Sequence, residues 1–286
     1  MKILVVGGTG TVGSQVVRDL AGKADIRVLS RSVGKTGNLP SGVQATPGDL
    51  AKPETLRGAF EGIERVFMIT PISQTETQEG LAAVEAAQRA GVRRMIYMTV
   101  HRLEAAPHIP HFVSKLPIVA AIKASGMDYT FIEPNNFFQN DLWFKDVLLQ
   151  HGIYPQPIGG AGVSRVDVRD IALAAVNALL QDGHSGQSYP VAGPELMTGE
   201  STAAAWSRVI GKPVRYAGDD VDTWEAQAKA MLPAWMAHDL RIMYETFQKT
   251  GLKATEGDLL RQQRILGRAP RRFAEWAGET AALWKS

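Results

Sequence analysis

Three glycines at a spacing of three, Gly7, Gly10 and Gly13, follow directly on the apolar run Ile3-Leu4-Val5-Val6. A strand that breaks into such a turn can bring bare main-chain N–H groups against a diphosphate. The first glycine permits the tight turn, the second lets the backbone approach the ligand, and the third lets helix and strand close up. Val12, Val16, Val17 and Leu20 then recur at helical spacing, so Thr9, Thr11 and Val12 stand with the glycines where a helix N-terminus faces negative charge. About twenty residues on, where an acidic side chain would accept a ribose 2′-hydroxyl, this chain has Arg31. A guanidinium can clamp a 2′-phosphate bidentately, and Ser30, Ser32 and Lys35 add donors beside it. The expected cofactor is therefore NADP(H) rather than NADH.

These residues need a scaffold, and the first half of the chain supplies one by alternating strand with helix. Strands are expected at 3–6, 26–30, 43–46, 65–69, 95–98 and 129–132, with helical stretches at 53–60, 75–90 and 117–124, where Pro53 and Pro117 suit a first turn. Alternation of this kind requires crossover connections and a parallel sheet covered on both faces, so the fold class is doubly wound α/β. Beyond Pro134 come an aromatic, Asn-rich loop, a helix over 168–180, a strand over 188–191 and a mainly helical tail. The expected division is a dinucleotide-binding Rossmann domain, 1–134, and a substrate-binding region, 135–286, of which about 163–192 returns to the sheet. In the tail, Met236, Leu240, Met243 and Phe247 keep helical spacing, as do Phe273, Trp276, Ala277 and Trp284, and both stripes read as core.

Composition narrows the class. With 286 residues, 45% hydrophobic and 21% charged, the chain can bury a large core and is not a disordered one. A net charge of +2 and scattered basic residues point to no nucleic-acid partner, and Arg268, Arg271 and Arg272 read as a solvated face. The absence of cysteine excludes disulfides and thiol catalysis. No apolar run approaches a membrane span and the N-terminal one is short for a signal segment, so the expected location is cytoplasmic. A homodimer is left open. No GxSxG elbow follows a strand, which disfavours a serine hydrolase.

Two further segments reach the same ligand edge. Asp49, with Leu50, follows the third strand and can either accept the adenine amino group or cap the helical segment that follows. Thr70 and Pro71 follow the fourth strand at the carboxyl edge of the sheet, where ligands of open α/β folds lie. GGTGTVG at 7–13, Arg31, GDL at 48–50, FIEPNNFFQN at 131–140, VDVRDIA at 166–172 and SYPVAGPE at 188–195 with GKPV at 211–214 together resemble the NmrA-like group of atypical short-chain dehydrogenases/reductases. The resemblance covers nearly the whole chain and implies the cofactor and fold more firmly than catalysis. The group includes triphenylmethane and quinone reductases and also regulators that bind the dinucleotide without turning it over.

The resemblance also frames the catalytic residues. Ordinary short-chain dehydrogenases place Ser or Thr after the fifth strand and use YxxxK, the lysine easing proton release from the phenol. Here Thr99 fills the first position, where it could equally close a strand end. The second motif reads His111-Phe112-Val113-Ser114-Lys115, with histidine in place of tyrosine. An imidazole titrates near neutrality and can serve as acid; it can also be a plain loop histidine. Lys115 is expected on the nicotinamide ribose, although Pro117 disfavours helical geometry at Leu116 and could shift its register. His101, His108 and His111 lie on one loop, but without cysteine or paired acids, and with Pro107 and Pro110 between them, they make no metal site.

The acceptor side follows the sixth strand. Pro134 and Asn135 would border the nicotinamide, with Asn135 able to hydrogen-bond cofactor or substrate. Phe137, Phe138, Trp143 and Phe144, with Trp224, Met231, Trp235 and Met236 from the tail, could wall a pocket for a bulky apolar acceptor. Asp167 and Asp170 read as structural, capping the following helix and pairing with Arg169 or its dipole. The expected function is an NADPH-dependent reductase of a conjugated or aromatic acceptor, with Thr99, His111 and Lys115 around the nicotinamide. A dinucleotide-sensing regulator would need no proton donor, and a sugar epimerase would want the missing tyrosine and polar walls.

Overall fold

The computed structural model describes residues 1–32, 34 and 39–285. Among them the strands are β1 Lys2–Val6, β2 Asp25–Ser30, β3 Gln44–Pro47, β4 Arg65–Met68, β5 Arg94–Met98, β6 Asp128–Pro134, β7 Ile153–Tyr154, β8 Gln187–Val191 and β9 Arg215–Tyr216. The helices are α1 Thr11–Leu20, α2 Arg57–Phe60, α3 Glu76–Arg89, α4 Pro110–Val113, α5 Leu116–Ala124, α6 Val168–Leu180, α7 Gly199–Ile210, α8 Val221–Ala228, α9 Ala234–Thr250, α10 Glu256–Leu266 and α11 Phe273–Lys285. Seven strands form one sheet in the order β3-β2-β1-β4-β5-β6-β8, every neighbouring pair parallel. The fold is doubly wound α/β of Rossmann type. The chain reverses its direction of sheet growth between β1 and β4, and such a switch point opens the crevice in which ligands of these sheets bind.

β1 shows how the two cores arise. Successive side chains of a strand face opposite ways, so Ile3 and Val5 enter one apolar cluster and Leu4 and Val6 the other, all buried. The first face is covered by α1, through Val12, Val16, Val17 and Leu20, and by α6, through Ile171, Ala172 and Ala175. The opposite face takes Ala83, Val84 and Ala87 of α3 with Ile118 and Ile122 of α5. β8 closes the sheet beyond β6, and α10 packs over it.

Some elements differ from the sequence-based expectation. The stretch 53–60 is a 3-10 turn, Pro53–Thr55, followed by the short α2. Pro117 falls in the first turn of α5, Lys115 keeps helical angles (φ −84°, ψ −20°), and the break between α4 and α5 lies at residues 114–115, so the proline does not displace the lysine. β6 runs on to Pro134, which carries Glu133 and Pro134 to the ligand edge as strand residues. The two-stranded sheet of β7 with β9, pairing Ile153 with Arg215 and Tyr154 with Tyr216, had no sequence signal of useful length. No helix among the described residues is long and apolar enough to cross a membrane.

Candidate active site

The turn after β1 has the geometry its glycines require. Gly7 adopts φ +80°, and a Cβ on Gly13 would sit 2.1 Å from the Gly7 carbonyl oxygen, so both positions are fixed by the protein itself. Gly10 differs. Its N–H donates to Gly7 O at 3.0 Å, and an added Cβ would meet only that oxygen, at an ordinary 3.4 Å. The fold has room for a side chain at Gly10, so the protein's own packing does not require glycine there. The N-terminus of α1 has Gly10 as its cap and no side chain accepting from its free N–H groups. These features fit a diphosphate.

The adenosine end of the expected site is laid out along the ends of β2 and β3. Arg31 is exposed and, among the described residues, has no carboxylate partner. Ser30 Oγ accepts from the Ser32 N–H at 3.2 Å. Asp49 accepts from the Ala51 N–H at 3.1 Å, closing a turn rather than capping the helical segment, whose N-cap is Lys52, and Leu50 is buried. Lys35 lies outside the described residues. Thr9 and Pro71 are exposed at their turns.

A cavity of about 830 Å³ runs from the glycine turn to the helical tail, and Thr99, His111, Lys115, Thr70, Pro134 and Asn135 all lie on its wall. Four of them are spent on the protein. Thr99 donates its hydroxyl to Ile132 O at 3.4 Å, closing the end of the strand. Lys115 forms an ion pair with the fully buried Glu76 carboxylate, which also accepts from Thr70 Oγ1 at 2.6 Å and Ser114 Oγ at 2.7 Å. Asn135 gives its amide to Leu252 O at 2.8 Å and to His101 Nδ1 at 2.9 Å, so its donors are not free for cofactor or substrate. The expectations for Lys115 on a ribose and Asn135 on a ligand meet these prior commitments.

His111 is the exception. It is buried on α4, and its Nδ1 lies 2.6 Å from Oδ1 of Asp239, a buried residue of α9. A carboxylate only accepts, so Nδ1 carries the proton and Nε2 is left with no hydrogen-bond partner among the described residues. The Phe112 ring packs edge-on at 4.9 Å and limits how the imidazole can turn. Asp239 was not found from sequence: it sits 128 residues from His111 on an amphipathic helix, with no motif to mark it.

The other two histidines of the loop also reach C-terminal helices. Because Asn135 donates to His101 Nδ1, Nε2 holds the hydrogen and faces Asp258 Oδ2 of α10 at 3.3 Å. Burial pushes the His101 pKa down and so favours this neutral form. His108 pairs with Thr246 of α9 at 2.7 Å. Three partners in three places leave no cluster able to hold a metal among the described residues.

The rest of the wall is largely apolar. Phe137, Trp143, Phe144, Trp224, Met231 and Met236 line it, together with Leu240, Met243, Tyr244 and Phe247. The stripe Met236-Leu240-Met243-Phe247, read as core, is core in part, with Met243 and Phe247 buried and Leu240 packed against them, and all four also border the cavity. Trp235 lies one residue, or about 100° of helix, off that stripe and does not line the cavity. Phe138 does not line it either. It is buried, with Phe273 edge-on at 5.1 Å and the Trp276 ring at 5.7 Å. Tyr244 donates to Gln156 Oε1 at 3.2 Å, and burial pushes its phenol pKa up, so it stays a hydroxyl.

Beneath this wall is a network that sequence reasoning missed. Arg165 and Asp141 are fully buried, with Nη2 to Oδ1 at 2.7 Å and Nη1 to Oδ2 at 3.2 Å. Trp206 Nε1 and Gln156 Nε2 add bonds to the same carboxylate at 2.9 and 2.6 Å. Arg165 also donates to Asn136 Oδ1 and Phe137 O, which fixes the loop after β6. Asp167 caps α6 through the Arg169 N–H at 2.8 Å and pairs with Arg169, as expected. Asp170 instead takes Arg268 and Arg271, and Arg272 pairs with Glu195, so the basic group read as a solvated face clasps the buried start of α6 and the segment before α7.

A family model described as the NmrA-like family matches residues 1–277. The chain belongs to this family. A relative from Xenophilus azovorans, an NAD(P)H azoreductase, is 38% identical over 287 residues, covering 99% of each chain. A (4-alkanoyl-5-oxo-2,5-dihydrofuran-3-yl)methyl phosphate reductase from Streptomyces griseus is 33% identical over 281 residues, covering 98% of each. The solved triphenylmethane reductase of Citrobacter sp., complexed with NADP(H), superposes with a TM-score of 0.84 at 24% identity, over 98% of this chain and all of that one. That likeness shows a shared fold.

Proposed function

We propose that this protein is an NADPH-dependent reductase that transfers hydride to a bulky apolar, conjugated or aromatic acceptor of the quinone, enone or dye kind. The observation that carries the proposal is that one cavity joins the bare glycine turn to a wall of aromatic and Met side chains, with His111 Nε2 unpartnered on it. Relatives 38% and 33% identical over nearly the whole chain are both reductases, and the first uses NAD(P)H.

When bound, NADPH supplies the hydride. The tasks of this chain are to hold, orient, exclude water and move one proton. The turn at Gly7, Gly10 and Gly13 takes the diphosphate, and Arg31 takes the 2′-phosphate. The aromatic wall takes the acceptor and strips water from it. Reduction of a quinone or an azo bond consumes one proton with each hydride. His111 delivers it from Nε2, while Asp239 keeps the ring oriented and stabilises its charged form before the transfer. Thr99 and Lys115 complete the wall beside the reacting carbon. A cytoplasmic location belongs to this reading, since a reductase of this kind draws on a reduced nucleotide pool.

A regulator that only senses the dinucleotide would need neither the dyad nor the apolar cavity, so the dyad favours turnover. Purified protein given NADPH with a panel of quinones, enones and azo dyes tests the proposal. Oxidation of NADPH by members of the panel is expected, and tight cofactor binding with no oxidation across it would defeat the reductase.

A further inference from the structure

The cavity wall carries four side chains that hold or can take a charge: His111, Lys115, Arg215 and Asp220. Their partners decide which charge is left for a ligand. His111 is taken by Asp239 and Lys115 by Glu76. Asp220 caps α8, accepting from the N–H groups of Asp222 and Thr223 and from Thr223 Oγ1 at 2.6 Å. Arg215 alone of the four has no carboxylate within ion-pair distance and no side-chain hydrogen bond among the described residues. Asp219, close by in sequence, is engaged by the Tyr216 hydroxyl.

The backbone holds Arg215 in place regardless. Its N–H donates to Gly152 O at 2.9 Å, and the pairing with Ile153 locks β9 against β7, which puts both residues on the cavity wall. This is the small sheet, separate from the seven-stranded sheet that carries the glycine turn and Arg31, so the Arg215 charge is additional to those expected on the cofactor phosphates. Arg215 as a residue is exposed, so leaving its charge unpaired costs little. An anion brought in on an apolar ring would meet a fork of donors beside an apolar wall, where charge-assisted bonds gain strength.

We infer that Arg215 is an anion subsite of the acceptor pocket, and that the preferred acceptors are aromatic or conjugated molecules bearing an oxyanion substituent, whether sulfonate, carboxylate or phosphate ester. This rests on the reductase reading above and names its substrate class. The subsite sets affinity and orientation and takes no part in the transfer of hydride or proton.

The test compares anthraquinone-2-sulfonate, anthraquinone-2-carboxylate, the phosphate ester of 2-(hydroxymethyl)anthraquinone and the neutral alcohol itself. Each is titrated calorimetrically into the NADP⁺-saturated protein and assayed as an acceptor with NADPH. The wild type is expected to bind the anions about tenfold more tightly than the alcohol. Arg215→Gln should bring that ratio to about one, and Arg215→Lys should retain part of it. The rank of the three anions tells which oxyanion the subsite fits best. Equal binding of neutral and anionic compounds by the wild type would overturn the subsite. So would an Arg215→Gln variant that weakens all four alike, or one that weakens NADPH while the preference survives. Failure of the subsite alone leaves the neutral compound reduced by NADPH; failure of the reductase reading leaves no compound reduced, whether or not any is bound, and takes the acceptor subsite with it.

Discussion

Asp239 of α9 holds His111 of α4 by a 2.6 Å contact between Oδ1 and Nδ1, with both side chains buried and 128 residues of chain between them. The contact joins the C-terminal helices to the loop after β5 and fixes which imidazole nitrogen is free. His111→Gln is expected to lower kcat for quinone or azo acceptors by about 10²-fold, the usual worth of a positioned general acid. Asp239→Asn should lower it less, about tenfold, and move the pH profile of kcat, since the charged imidazole loses its carboxylate. Steady-state kinetics across pH checks both. A profile unchanged in Asp239→Asn would reduce the contact to packing.

Gly10 and Gly13 are expected to fail differently. In Gly13→Ala the new Cβ is driven into the Gly7 carbonyl, a clash that must shift backbone, and a stability loss of about 3 kcal/mol or more is expected. In Gly10→Ala the methyl has room in the protein, so the melting temperature should hold while NADPH affinity falls at least about tenfold. Thermal melts with and without NADPH separate the two. A Gly10→Ala variant with normal affinity would show that no ligand backbone lies on the turn.

Arg31→Glu tests cofactor choice. Loss of a charge-assisted clamp on the 2′-phosphate, and gain of an acceptor for a 2′-hydroxyl, should shift the preference from NADPH toward NADH by about tenfold or more. The ratio of kcat/KM for the two nucleotides measures it. Unchanged selectivity would remove Arg31 from the site.

The pair His101–Asp258 sets an acid limit on stability. Burial lowers the His101 pKa from its ordinary 6.5, so the unfolded chain binds the proton that the folded chain refuses. That contribution is present above about pH 6.5 and is lost as pH falls toward the lowered value. Asp258 acts at lower pH. Burial opposes its charge, but hydrogen bonds from Thr255 and Arg261 and the neighbouring His101 hold its pKa down, at about 2, against the usual 3.8, so its share is lost between those values. Urea unfolding at about pH 7.5 and about pH 5.5 should show a fall for the wild type and a smaller one for His101→Gln. Equal falls would assign the loss to other groups.

Much of the frame was legible because it is local. The strand, glycine turn and helix of 3–20 are a pattern within one short segment, and apolar runs alternating with helical stretches demanded the parallel sheet. Asp167 showed its role for the same reason, since its partner Arg169 is two residues away. The contacts that define the site are long-range: Asp239 to His111, Asp258 to His101, Arg165 to Asp141, Arg268 and Arg271 to Asp170. A carboxylate on a helix face looks the same in sequence whether it meets water or a buried imidazole. The stripe of α9 shows the limit of periodicity. Spacing marked Met236, Leu240, Met243 and Phe247 as a core face, which Met243 and Phe247 are, and only the packing of the tail shows that the same face also borders a cavity.

The central claim is hydride transfer from NADPH across this cavity to an apolar acceptor, with His111 supplying the proton. Its most direct measurement is NADPH oxidation under anaerobic conditions with a quinone or azo dye, followed by stopped flow in the wild type and in His111→Gln. Rapid oxidation matched one for one by acceptor reduction, and slowed in the variant, is the expected result. Cofactor binding without oxidation, or oxidation at the same rate in both proteins, would contradict it.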